Sequence, residues 1–424
     1  MEESTIALLI LAATIVLFAT ELIPIPVTAV SAALAMGIFG VIPFSSAFSG
    51  FANDITIMII GSMIVGEALF ETGVAEQLGN IILRAVGKSE RAFLLACVAT
   101  SAVLSAFLSN TAVVAMMLPV VAATAAKSNG LIEKKDIYMA VGFAANIGGG
   151  MTLVGSTPNV IGQGLLEEAG LETMTFFDLT LGAIPRFIFI LLFYAFIGYP
   201  LQKKIFSFAD HQTEEMEIRE IPEKKRANPH KMFLSIGIMI LTVIGFITGI
   251  WTVGTVALLA GLACIWTGCI SVRQVFARLD WTTVWVMAGS FGFAAGIDES
   301  GAGKLIADTV IGWFGGSVSM MTLLILFTLL ATLMGNFMSS SASTAILGPI
   351  AIFICKAMGY PSKPVIMVII WALNLAFLTP VATPPVTMTL QGGYRFLDYT
   401  KIGAPLLLGC LILTIAFYPL IFQL

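Results

Sequence analysis

Leu108-Ser109-Asn110-Thr111 and Met338-Ser339-Ser340-Ser341-Ala342-Ser343-Thr344 decide the reading of this chain. Each is a polar string set between long apolar runs, and each leads to a proline step, Leu118-Pro119 and Gly348-Pro349. Inside a bilayer, a chain reversal leaves helix-end N–H and C=O groups without partners. Ser, Asn and Thr satisfy such groups. They can also turn oxygens toward a cation, while the N–H ends of half-helices face an anion. A single string of this kind reads equally as polar glue between two ordinary helices. Its recurrence in the second half favours a broken-helix site.

The surroundings are those of a membrane protein. The chain has 424 residues, of which 58% are hydrophobic and 11% charged, with mean hydropathy +0.98. A soluble domain needs more charge to cover its surface. Apolar stretches long enough to cross a bilayer recur throughout, as at Thr5 to Leu22, Leu179 to Tyr199, Met232 to Ile250 and Pro405 to Leu424. The start, Met1-Glu2-Glu3, lacks the basic flank of a cleavable signal, so the first apolar stretch is expected as a retained span. Cys97, Cys264, Cys269, Cys355 and Cys410 lie scattered in apolar runs and read as packing residues. His211 and His230 sit in the one long polar segment, which argues against a Ser-His protease or a haem or zinc site in the bilayer.

That polar segment, about 202–231, separates two apolar halves that read as copies of one unit. Gly61-Ser62 recurs as Gly289-Ser290, Glu71 as Glu299 and Gly73 as Gly301, each displaced by 228. Leu118-Pro119 falls on Gly348-Pro349 at 230, and Thr157-Pro158 on Thr383-Pro384 at 226. Each half offers three spans (near 5–23, 27–44 and 55–71; then 233–250, 254–271 and 283–297), followed by an amphipathic stretch (75–88; 302–314). A broken apolar pair comes next (92–127; 319–357), then a Gly/Pro-interrupted span (137–168; 364–392) and a closing span (179–200; 402–422). The broken pair contributes an even number of crossings whether it spans twice or dips and returns. The total per half is therefore odd, and the second copy must insert upside down. The expected fold is all-α, with two inverted-topology repeats of about ten transmembrane spans plus two re-entrant hairpins. The domains read as a first repeat 1–201 (1–88 and 89–201), a linker 202–231 and a second repeat 232–424 (232–316 and 317–424). Lys/Arg bias puts the linker in the cytoplasm and both termini outside, with Lys356 and Lys363 as exceptions.

Two further segments carry chemistry. Asn146-Ile147-Gly148-Gly149-Gly150 followed by Gly155-Ser156-Thr157-Pro158-Asn159 will not hold a regular helix, nor will Thr379-Pro380-Val381-Ala382-Thr383-Pro384-Pro385. Unwound backbone there frees carbonyls for a cation and hydroxyls for an anion; close packing at the glycines, or a simple kink at the prolines, is the plainer alternative. No Lys or Arg lies in the four segments, so charge balance points to a co-bound cation, and oxygen-only ligands suit sodium. Among nearby acids, Glu71 and Glu299 read as span ends. Glu67, inside the third span, is the best candidate for a proton carrier.

Ser109-Asn110-Thr111, the 146–159 segment, and Leu378-Thr379-Pro380-Val381-Ala382-Thr383-Pro384-Pro385 followed by Gly392-Gly393-Tyr394 resemble the divalent anion/sodium symporter family, within the wider ion transporter superfamily. The resemblance covers nearly the whole chain. It implies import of a di- or tricarboxylate or sulfate coupled to sodium, by a homodimer whose transport domains move like elevators against scaffold domains (1–88 and 232–316). It implies one sodium site at Ser105, Ser109, Asn110 and Gly155, and another at Ser339, Ser340 and Ala382. It places substrate contacts on Asn110, Thr111, Thr157, Pro158, Ser340, Ser341, Thr383 and Pro384. The expected partners are a small anion and the lipid of an inner or plasma membrane, with no nucleic acid and no organic cofactor. The sequence departs from the family pattern in three ways. The second tip reads Ser-Ser-Ser where Ser-Asn-Thr is usual, Val386 stands where an Asn is common, and the family's extra first span has no counterpart. A proton-coupled or exchange carrier of the same superfamily, and a non-transporting membrane subunit, are the alternative readings.

Overall fold

The computed structural model describes residues 2–20, 22–74, 77, 89–128, 130–206, 228–313, 318–380 and 383–422, and among them every regular element is helical. Most of the 75–88 stretch, most of the linker, and Ala382 lie outside the described residues.

Helices stand where the sequence reading expects spans, with shifted ends. Glu3–Thr20, Ile25–Ile38 and Asp54–Glu71 form the first trio, and Pro229–Thr248, Val253–Trp266 and Trp281–Glu299 the second. Side-chain caps set several starts: Asn53 accepts from the Ile55 N–H, Thr252 from that of Thr255, and Asp280 from that of Thr283. Glu71 and Glu299 each close their helix, as expected.

The trios pack crosswise. Helix 54–71 lies along helix 253–266, and helix 281–299 lies along helix 25–38. The repeated glycines have their reason here. A Cβ on Gly61 would fall 2.2 Å from the Ala257 carbonyl carbon, and one on Gly289 would fall 2.6 Å from that of Ala29. Such crossings admit only a glycine, and Ala29 and Ala257 are themselves 228 residues apart.

Each half next forms a helical hairpin, Glu90–Ser105 with Asn110–Lys127 and Met320–Phe337 with Ser340–Met358. Each first arm lies along the following helix, Tyr138–Gly149 or Ser362–Leu373. The second arms cross over: helix 340–358 packs on Thr157–Glu168, and helix 110–127 on Pro384–Met388. The post-break helix is short in the second half, because Pro384–Met388 gives way to a 3-10 turn over Thr389–Gly392. The closing helices, Thr180–Phe193 (continuing through a π-turn to Ile205) and Phe396–Phe422, pack against each other.

The two largest of the apolar clusters in the interior centre on Phe143, Phe377 and Tyr399 and on Trp371, Phe327 and Ile366. Large apolar side chains also face outward, among them Leu181, Ile188 and Phe196 on one closing helix and Phe233, Leu241 and Ile247 on helix 229–248. In water this would be untenable; in lipid it is the solvated face. Five of the described helices are long and apolar enough to cross a membrane: 180–205, 229–248, 320–337, 340–358 and 396–422. Lys356 and Lys363, the exceptions to the charge bias, are both paired. Lys356 meets Asp298 at 3.5 Å; Lys363 meets Glu172 at 2.8 Å and Asp178 at 2.7 Å.

Candidate functional site

The polar strings stand at the turns of the hairpins. Ser109 and Ser339 each precede the second arm, and neither spends its side chain on capping it. Asn110-Thr111 and Ser340-Ser341 therefore fall in the first turn of those arms, half-buried, where the helix N–H groups are unpaired by the helix itself.

Beside each turn the next helix breaks. Helix 138–149 ends at the glycine triplet and restarts at Thr157, with Pro158 in its first turn. Helix 362–373 ends before Asn374 and restarts after Thr383, with Pro384 and Pro385 leading. Proline at a helix start forfeits no intrahelical bond. Matching contacts hold turn to break. The Thr152 hydroxyl donates to the Ala106 carbonyl, and the Thr379 hydroxyl to that of Asn336 (2.7 Å). The Asn110 amide, oriented to suit its neighbours, donates to the carbonyls of Ala145 (3.1 Å) and Gly155 (3.2 Å). Ser340 donates to the Leu373 carbonyl at 3.4 Å. Asn110 bridges two segments of its break, whereas the shorter Ser340 holds one. Gly149 must be glycine, because its Cβ would stand 2.4 Å from the Asn110 amide.

The two breaks are also tied to each other. Asn146 donates to the Thr383 hydroxyl at 3.0 Å and to the Ala376 carbonyl at 3.4 Å. Asn374 donates at 3.3 Å to Asn159, which in turn donates to the Gly149 and Thr152 carbonyls at 2.7 Å each. Asn336, fully buried, braces the second break. Its carbonyl oxygen accepts from the Phe377 and Leu378 N–H groups (2.9 and 2.8 Å), and its amide donates to Leu375 (3.2 Å).

Hydrogen bonds thus link the surroundings of Asn110 and Gly155 in the first half to those of Ser340 and Thr383 in the second, through Asn146, Asn159 and Asn374. Ser109 with Thr111 and Ser339 with Ser341 stand at the starts of the adjoining arms, and Pro384 at the start of the second post-break helix. The turns are joined through the breaks, with no direct hydrogen bond between them among the described residues. Ser105 is fully buried and its hydroxyl has no partner; its carbonyl and that of Gly149 both crowd Gly155. Thr157 lies at one edge, 3.2 Å from the Thr283 hydroxyl, which donates to Asp280. Glu67 stands outside this network, 3.9 Å from Arg278, which also pairs with Glu71 at 2.8 Å.

Sequence reading did not single out Asn374, Asn336 or Arg186. Asn374 was legible, standing 228 residues after Asn146. Asn336 was not, because its counterpart at a displacement of 230 is Ala106.

The comparisons agree with this architecture. The family described as citrate transporter matches residues 15–342 and 243–424. An uncharacterized transporter of Haemophilus influenzae is 27% identical across 96% of this chain and 89% of its own length. A sodium-dependent high-affinity dicarboxylate transporter of Caenorhabditis elegans is 23% identical across 94% and 80%. The sodium-dependent dicarboxylate transporter SdcS of Staphylococcus saprophyticus is 23% identical across 86% and 76%. The YdaH transporter of Alcanivorax borkumensis shares the fold with a TM-score of 0.63 at 15% identity, over 88% of this chain and 86% of that one. MtrF of Neisseria gonorrhoeae does so at 0.62 and 14%, over 88% and 82%. An all-helical membrane chain with paired hairpins set against broken helices, matched along nearly its whole length, belongs to the citrate transporter family, alongside relatives named as sodium-dependent dicarboxylate transporters.

Proposed function

We propose that this transporter imports a small divalent oxyanion, a di- or tricarboxylate or sulfate, together with sodium. The observation that carries the reading is the polar centre itself: two hairpin turns and two helix breaks cross-linked by Asn146–Thr383 and Asn374–Asn159. Its ligands are hydroxyls, amides and carbonyls, with no carboxylate among them. Hard cations take oxygen ligands, and the partnerless Ser105 hydroxyl beside the Gly149 and Ser105 carbonyls fits such an ion as cargo. Asn110, Thr111, Thr157, Pro158, Ser340, Ser341, Thr383 and Pro384 contact the anion. Sodium is held by Ser105, Ser109, Asn110 and Gly155; Ser339, Ser340 and Ala382 form the weaker second site. The relatives' names favour sodium and a dicarboxylate.

The crosswise packing supports inverted repeats. Residues 1–88 and 232–316 form a scaffold, and 89–201 with 317–424 form the part that moves like an elevator, in a homodimer with a cytoplasmic linker. Uptake by proteoliposomes under imposed gradients tests the coupling. Uptake should follow sodium, collapse on Asn110→Ala and change little on Glu67→Gln. Uptake that ignores sodium, follows a pH gradient and is abolished by Glu67→Gln refutes the reading in favour of a proton-coupled carrier.

A further inference from the structure

The polar centre holds no positive side chain, yet a permanent one is buried beneath it. Arg186, in the closing helix of the first half, is 2% exposed. Its Nε donates to the Gly182 carbonyl and its Nη1 to the Trp371 carbonyl, both at 2.9 Å. The guanidinium lies over the Trp371 ring, 5.3 Å from the centroid. Its Nη2 is buried and without a partner, and no carboxylate pairs with it among the described residues. A guanidinium remains protonated at neutral pH. An uncompensated charge inside a bundle costs several kcal/mol, and intramembrane charges of this kind mark ion pathways.

Its position gives it a use. Trp371 is in the last turn of helix 362–373, and two residues on, the Leu373 carbonyl takes the Ser340 hydroxyl. Helix geometry puts the guanidinium within about 12 Å of that hydroxyl. The closing helix of the second half, 396–422, offers no equivalent cation: it carries Lys401 near its start and no basic residue beyond it.

We propose that Arg186 is the specificity-determining charge of the transport site: a fixed cation beneath the second break that raises affinity for a doubly charged anion and lowers it for a cation on that side. This inference rests on the proposed anion site. It accounts for a second turn with serine in place of asparagine, since a fixed charge there reduces the need for a mobile one.

The test is equilibrium binding to the purified full chain, with sodium alone and with anion pairs differing in one charge: succinate with monomethyl succinate, and sulfate with methyl sulfate. At such a separation, in a protein interior of intermediate dielectric, a unit charge alters monoanion affinity about tenfold and dianion affinity about a hundredfold. Arg186→Gln should therefore weaken the dianion by about the square of the monoanion's loss and tighten sodium several-fold. Arg186→Lys should stay near the unaltered chain. Structural damage would weaken anion and sodium together. Equal losses for both anions, or sodium weakened as well, overturn the proposal. Cys410 is fully buried on the closing helix that packs against the one carrying Arg186, so Cys410→Asp, which sets an opposite charge in that interface and keeps the arginine, should give the same pattern if Arg186→Gln does not fold; its failure to do so counts equally against the proposal. Failure of the unaltered chain to bind any of these anions, with or without sodium, sinks the proposed function first and this inference with it.

Discussion

Removing the Asn336 carboxamide should loosen the second break while leaving the first intact. Asn336→Ala deletes the acceptor of the Phe377 and Leu378 N–H groups and the donor to the Leu375 carbonyl. These backbone groups lie in unwound chain and have no helical partner to return to. Each buried group left unpaired costs about 1–3 kcal/mol. Partial relaxation brings the expected net loss to about 3–5 kcal/mol, in the range of a buried network rather than a surface change. The sharper readout is local. A break weakened by about 2 kcal/mol opens roughly 30-fold more often, so hydrogen–deuterium exchange across 374–380 should accelerate by at least that factor. Peptides spanning 148–155, braced by Asn159, should not change. Asn336→Asp keeps an acceptor for the two N–H groups and should accelerate exchange less. Unchanged exchange at 377–378 in Asn336→Ala would show that these bonds do not hold the break open, and uniform acceleration of both breaks would show that the damage is global.

Other perturbations should act on the supports. Gly148→Ala would place a Cβ 2.0 Å from the Ala102 carbonyl oxygen; it should cost about 3 kcal/mol or more, seen as a lower thermal midpoint, whereas Gly130→Ala, with open space but φ +82°, should cost about 1 kcal/mol. Lys203 lies 2.8 Å from both Glu90 and Asp136; Lys203→Met leaves two acids facing each other and should destabilise by about 1–3 kcal/mol, discounted for the partial exposure of the lysine. Burial pushes the Asp136 carboxyl up to about 6 against the pull of Lys203, with Glu90 and Glu133 adding to the rise. A carboxyl raised in the folded state favours its protonated form, so stability should be gained as pH falls through 6 toward 4 and lost as pH climbs back through 6. Thermal midpoints from pH 4.5 to 7.5 should show that slope, and Asp136→Asn should flatten it; a slope of opposite sign refutes the assignment.

Class, element order and the four polar interruptions were legible in the chain alone. Hydrophobic runs, and the dislike of consecutive Gly, Thr and Pro for a regular helix, are local properties that survive without knowledge of neighbours. The displacement of 228 also foretold Gly61 and Gly289 as equivalent positions, and Asn146 already marked where Asn374 would stand. Which residues meet became visible only in the folded molecule. Gly61 is glycine because Ala257 presses on it, and Asn110 outreaches Ser340 because two carbonyls converge on it. Asn336 and Arg186 carry no signal in the chain, since a lone asparagine or arginine in an apolar helix gains its meaning from partners about 40 and 185 residues away. Local chain stiffness fixes where a helix must stop. Which buried N–H or carbonyl then needs a partner depends on packing between segments distant in sequence, and that requirement is written in space rather than in order.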